Sequence, residues 1–211
     1  MPRGTNCNCL PYPQLSADGL TANTGHKVAA TNASVAGYTS SNVLKQVDSN
    51  SKVIGRLRAA NVVEIEVGAN DVAYARSCGT KIVCYASRIP TIEKNLAAIV
   101  SRVHGLVTGH RVLVVLLDYW SVWLGGKYAA ARGNAYVATA EEMTDRVNSV
   151  IKSTASKTGS AYVDLRAAFK GPNYSYDETR YLSSDGDHPN AAGHQQIATA
   201  AEAAINRALH I

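Results

Sequence analysis

Arg111-Val112-Leu113-Val114-Val115-Leu116-Leu117 is an almost unbroken apolar run. A strand that meets solvent on one face alternates apolar and polar residues. A run without alternation suits a strand covered on both faces, as in a parallel sheet with helices above and below. Before it, Ile92–Leu106 carries apolar residues at helical spacing behind Pro90, with Thr91 placed to cap the helix. After it, Asp118–Thr139 reads as a long loop rich in glycine and aromatic residues (Tyr119, Trp120, Trp123, Tyr128, Tyr136), a length that suits a lid or a binding wall. Thr139 and Glu142 have the spacing of a capping box opening a helix that runs to about Ser156, and Tyr162–Leu165 reads as a further strand.

Further out, Val62-Val63-Glu64-Ile65-Glu66-Val67 is the clearest alternating strand, closed by Gly68, and Lys27–Asn32 reads as a shorter one. Helical patterns cover Gln14–Thr21, Ser41–Val47, Ser51–Ala59 and Ala191–Leu209. Strand and helix alternate, which predicts an α/β fold: one domain over residues 1–211, a doubly wound parallel sheet with helices on both faces.

Composition excludes several classes. Of the 211 residues 46% are hydrophobic and 18% charged, the balance of an ordinary globular chain. No apolar run approaches the roughly 18 residues a membrane span requires, so no membrane partner is expected. The net charge is +5, but Lys and Arg are scattered rather than striped among aromatics, so nucleic acid is not expected either. Met1–Leu10 has no apolar segment of the signal-peptide kind. The four cysteines form two close pairs, Cys7/Cys9 and Cys78/Cys84, and neither has a CxxC spacing backed by a second pair. No metal and no other cofactor is expected. Cys78 and Cys84 are near enough to be bridged, which would suit a secreted protein, and two buried free thiols are the alternative.

The chemistry concentrates in Ser183-Ser184-Asp185-Gly186-Asp187-His188-Pro189-Asn190. Pro189 and Asn190 mark a helix start, which holds His188 at the helix mouth. Asp185, three residues earlier, can reach the imidazole, fix its tautomer and leave the other ring nitrogen free as a general base. The competing reading is an Asp/His pair that only caps a surface helix. Two more stretches fall at the ends of expected strands, where parallel sheets bind ligands: Gly37 in Asn32–Thr39, and Gly68-Ala69-Asn70-Asp71.

Taken in this order, Gly37, GAND (Gly68–Asp71) and DGDH (Asp185–His188), followed by the helix HPNAAGHQQIA, resemble the SGNH or GDSL hydrolases across almost the whole chain. The resemblance implies a flavodoxin-like sheet and a serine esterase or lipase acting on small-molecule carboxylic esters, with no cofactor. It implies that His188 is the base and Asp185 its orienting partner, and that the Gly37 N–H and the Asn70 amide are oxyanion donors. The family's first motif, a Gly-Asp-Ser ending the first strand, has no counterpart here. Only ten residues precede Pro11, and none of them is a serine. Ser34, Ser40, Ser183 and Ser184 are the surrogates near the expected site, and a chain truncated relative to the family is the main alternative. A catalytically silent binding module is the reading from another class. Without that first strand the sheet is expected to be rearranged or completed by a second copy, giving a homo-oligomer. Cysteine pairing and the resemblance together suggest an extracellular protein.

Overall fold

The structure, a computed structural model, describes Gly4 and residues 6–211. Three strands, β1 (Val62–Ile65), β2 (Leu113–Leu117) and β3 (Ala161–Val163), form a parallel sheet in the order β1-β2-β3. Val63 is in register with Val114, and Leu116 with Tyr162. The apolar run is the middle strand, with Val114, Val115, Leu116 and Leu117 each at most 1% exposed.

The two-residue period of the strand divides these side chains between two cores. Val114 and Leu116 point into one with Ile92, Leu96 and Ile99 of α5 (Ile89–Leu106) and Met143, Val147 and Ile151 of α7 (Asn134–Thr158). Val115 and Leu117 point into the other with Leu20 of α1 (Tyr12–Thr24), Phe169 of α8 (Leu165–Lys170) and Ile197, Ala201 and Ile205 of α9 (Ala191–Leu209). Each such Val or Leu contributes about 1.5–3 kcal/mol. Helices α2 (Ser40–Ser49) and α3 (Ser51–Arg58) lie on the α5 side, and short helices α4 (Val83–Ala86) and α6 (Gly126–Ala130) fill the connections. Among the described residues, no helix is long and apolar enough to cross a membrane.

Several boundaries depart from expectation. α5 starts at Ile89 and takes Pro90 into its first turn, where a missing N–H is harmless, so Thr91 lies inside the helix and caps nothing. α7 starts at Asn134, so Thr139 and Glu142 are no capping box: the Thr139 hydroxyl donates to the Ala135 carbonyl at 2.8 Å. Gly133, with φ +91°, turns the chain there, and the alanines that follow favour helix from the next residue. β3 ends at Val163, because Asp164 accepts the Ala167 N–H at 2.7 Å and caps α8.

The largest departure is Lys27–Asn32, which is not a strand. No backbone hydrogen bond joins it to β1. Side chains hold the segment instead: Thr21 accepts the Val28 N–H at 2.9 Å and Arg56 donates to Thr31 at 2.8 Å. A strand needs a neighbour, and among the described residues this segment has none. Neither the described residues before Pro11 nor direct pairing of the two segments supplies a partner for the outer edge of β1.

Candidate active site

The loop before α9 is fixed at both ends. Leu182 and Pro189 form an antiparallel bridge, and the Ser183 N–H donates to the His188 carbonyl at 2.8 Å. Asn190 accepts the Gly193 N–H at 3.0 Å, capping α9, while its amide donates to the Arg180 and Leu182 carbonyls. Between these anchors Gly186 adopts φ +77°, and its carbonyl accepts the Gly125 N–H at 2.9 Å. A side chain there would strain the backbone and collide with Tyr128.

Asp185 is thereby turned toward His188. Its Oδ2 lies 2.7 Å from His188 Nδ1 and also accepts the Asn6 amide. Its Oδ1 accepts the backbone N–H groups of Asp187 at 3.0 Å and His188 at 3.1 Å. Partial burial works to raise the Asp185 pKa, but these donors outweigh it and hold the carboxyl at about 2. An ionised carboxylate can only accept, so His188 Nδ1 is the donor in this contact, which in a neutral ring leaves the Nε2 lone pair free. The His188 side chain is 40% exposed, so Nε2 is within reach of a ligand.

Gly37 and Asn70 come together as a second pair. Gly37 sits in a turn with φ +79°, and its N–H makes no hydrogen bond among the described residues. Asn70, in a 3-10 turn over Ala69–Val72, donates to the carbonyl of Tyr38, next to Gly37, at 3.2 Å. No hydrogen bond among the described residues links this pair to Asp185 and His188. The Gly68–Asp71 turn borders Tyr119, whose phenol is raised by burial first and then by the carboxylates of Glu66, Asp71 and Asp187.

None of the surrogate serines hydrogen-bonds to His188. Ser34 donates to Asn32 at 2.6 Å, and Ser183 to the Pro189 carbonyl at 3.2 Å. Ser40 is fully buried, donating to Asp71 at 2.7 Å and accepting from Asn95 at 2.9 Å. Ser184 is exposed.

The aromatic segment lines a cavity, but its two tryptophans face largely inward. Trp120 and Trp123 are buried, the first stacked on Phe169 with centroids 4.3 Å apart, the second donating to the Val72 carbonyl at 2.7 Å. Flat indoles are core material here. A cavity of about 460 Å³ opens beside them, lined by Trp120, Leu124, Gly125, Val137, Arg166 and Glu178. Through Gly125 it adjoins the Asp185 loop.

Two residues that hold these side chains in place escaped sequence reasoning. Asn6 carries no local signal, since it meets Asp185 across 179 residues. Asp71 was in plain view inside GAND: its carboxylate takes both the N–H and the hydroxyl of Ser40, fastening the Asn70 turn to the start of α2.

Residues 4–196 match the model of the GDSL-like lipase/acylhydrolase family. No curated protein matches the sequence. Among solved structures, a lipase from a goat rumen metagenome is 19% identical with a TM-score of 0.74, covering 95% of this chain and 91% of that one. An acetylxylan esterase from Geobacillus stearothermophilus is 21% identical with a TM-score of 0.65, over 96% of this chain and 82% of its own. An alpha/beta hydrolase from the metagenome of Lake Arreo, Spain, is 22% identical with a TM-score of 0.61, over 95% and 81%.

Proposed function

The chain belongs to the GDSL-like lipase/acylhydrolase family and is a carboxylic ester hydrolase; from that premise we propose that His188 is its general base, Asp185 the carboxylate that orients the base, and Gly37 and Asn70 its oxyanion donors. The observation that carries this reading is the 2.7 Å contact between His188 Nδ1 and an Asp185 carboxylate held ionised by its other donors.

In the proposed reaction an attacking hydroxyl gives its proton to His188 Nε2 as its oxygen bonds to the ester carbonyl carbon. The carbonyl oxygen becomes an oxyanion, met by the Gly37 N–H and the Asn70 amide. Collapse breaks the bond to the alcohol, which leaves with the proton from Nε2; a water then attacks the acyl group in the same way, giving its proton to Nε2, and the second collapse releases the carboxylic acid and returns that proton to the first hydroxyl. The cavity beside Gly125 has room for a small acyl or aryl group. Secretion is part of the same proposal and rests on the disulfides Cys7–Cys9 and Cys78–Cys84.

Hydrolysis of p-nitrophenyl acetate by the purified protein tests this. His188→Ala is expected to lose at least as much rate as Asp185→Ala, and Asn70→Ala about 10²–10³-fold. An unchanged rate in His188→Ala removes the pair from the mechanism. One observation favours a second reading, a silent binding module: Ser34, Ser40 and Ser183 are all engaged away from His188. Absence of turnover in the unaltered protein, together with no serine labelled by a fluorophosphonate, would establish that reading.

A further inference from the structure

We propose that Cys7, Cys9 and His194, when the two cysteines are reduced, form a binding site for a thiophilic divalent cation of the zinc class. The two sulfurs and a ring nitrogen of His194 all lie within 4.8 Å of one another. Ligands about 2.0–2.3 Å from one tetrahedral zinc stand roughly 3.5–3.8 Å apart, so the two sulfurs, bonded to each other in the oxidised protein, must part on reduction to take an ion between themselves and His194. Cys-x-Cys alone is a poor metal motif, and His194, far along the chain, makes it a set of three.

Two further observations point to a ligand. His194 is 7% exposed, and its Nε2 is buried with no hydrogen-bond partner among the described residues. A buried polar atom left unpaired is costly, and such atoms call for a partner. The second is Gly4. A Cβ at that position would collide with His194 Nε2 and lie 2.8 Å from Cys7 Sγ. The Gly4 backbone therefore closes over both atoms at a distance that only glycine permits, and Nε2 and Sγ face the same small space.

The donor set selects the ion. Two thiolates and an imidazole suit zinc and its soft relatives, whereas magnesium and calcium require oxygen ligands that this cluster lacks. Three protein ligands leave a fourth position open. In the oxidised protein Cys7 and Cys9 are joined as a disulfide. A phosphine reductant and one water convert it to two thiols and a phosphine oxide, and the cation displaces both thiol protons. Tyr12 donates its N–H to His194 Nδ1 at 3.3 Å, so the neutral ring carries its proton on Nε2. The cation takes that place, the ring proton moves to Nδ1, and this long contact is given up.

Cobalt(II) is the probe, because thiolate ligation produces charge-transfer absorption in the near ultraviolet and tetrahedral geometry gives strong visible bands. The protein carries Cys78→Ser and Cys84→Ser, so that one dithiol remains, and is reduced anaerobically with the phosphine. One equivalent of cobalt is expected to bind with both signatures, to be displaced by zinc, and not to bind the unreduced protein. Cys7→Ser, Cys9→Ser and His194→Gln should each weaken binding at least about tenfold, and Gly4→Ala, which touches no ligand atom chemically, should weaken it too. Circular dichroism separates these effects from misfolding; if His194→Gln does not fold, the cysteine and Gly4 variants decide. No thiolate band with cobalt at millimolar concentration overturns the proposal. So does undiminished affinity in folded His194→Gln, which would leave a plain dithiol chelate.

Discussion

Replacing Asp71 by alanine should unfasten the turn that carries Asn70. Asp71 accepts the Ser40 N–H and the Ser40 hydroxyl, both at 2.7 Å, and Ser40 is fully buried at the first residue of α2. Hydrogen bonds to a charged group contribute about 1.5–3 kcal/mol each, and the carboxylate also faces the positive end of a helix. Water can enter beside the half-buried Asp71, so the loss falls below the sum of the two bonds, at about 3 kcal/mol. For a chain of this size that lowers Tm by roughly 6–12 °C. Asp71→Asn keeps the shape without the charge and should lose about half as much. Urea denaturation followed by circular dichroism measures the change. Because the Asn70 amide reaches Tyr38 only while its turn stays docked on α2, ester hydrolysis should fall as well. A loss under about 1 kcal/mol for Asp71→Ala would refute this account.

Burial first, with neighbouring carboxylates adding to it, raises Glu66 to about 8 and Glu64 to about 7, and burial raises Asp118 to about 7. Unfolded carboxyls titrate near pH 4, so between about pH 4 and 8 the unfolded chain has released protons that the folded chain keeps; stability should fall as pH rises through that window and level off above it, and a urea midpoint that climbs from pH 5 to 8 would contradict this. The Cys78–Cys84 disulfide closes a short loop, and Cys78→Ser with Cys84→Ser should cost about 2 kcal/mol in urea, with an unchanged midpoint as the refuting result. The outer edge of β1 bears no Pro or Lys and pairs with nothing among the described residues, so light scattering at about 100 μM should detect a dimer, and a strict monomer would overturn the expectation of a sheet completed by a second copy.

The parts of the fold that could be read from sequence are those decided by near neighbours in the chain. Arg111–Leu117 could be read because a strand with both faces covered has no reason to alternate, and Leu113–Leu117 is the central strand. The boundaries of α9 could be read because Asn190 caps it within one turn. Thr139 and Glu142 misled because a capping box is only a spacing, and the turn at Gly133 starts the helix earlier. Lys27–Asn32 misled for a different reason. Strand propensity describes how a segment suits a sheet position, and among the described residues no neighbour makes this one a strand.

The same division runs through the site. Three of the four donors to Asp185 come from its own turn, from Asp187 N–H and from the N–H and ring of His188, so that pair assembles locally and was legible in four residues of sequence. The fourth, Asn6, is brought in by the fold, and nothing in the sequence around either residue announces it. Gly37 and Asn70 lie between these cases: their separation hides the contact, and only the order of short motifs along the chain made the pairing visible. His194 was hidden most completely. As a residue of the first turn of α9 it reads as ordinary helix, and it acquires chemistry only because α1 and the Cys7–Cys9 segment pack against that turn. A reading by motif therefore recovers the turns that carry their own partners. It misses the residues whose partners are delivered by packing, and in this chain those are the contacts that tie the N-terminal segment to both the Asp185–His188 pair and the proposed metal site.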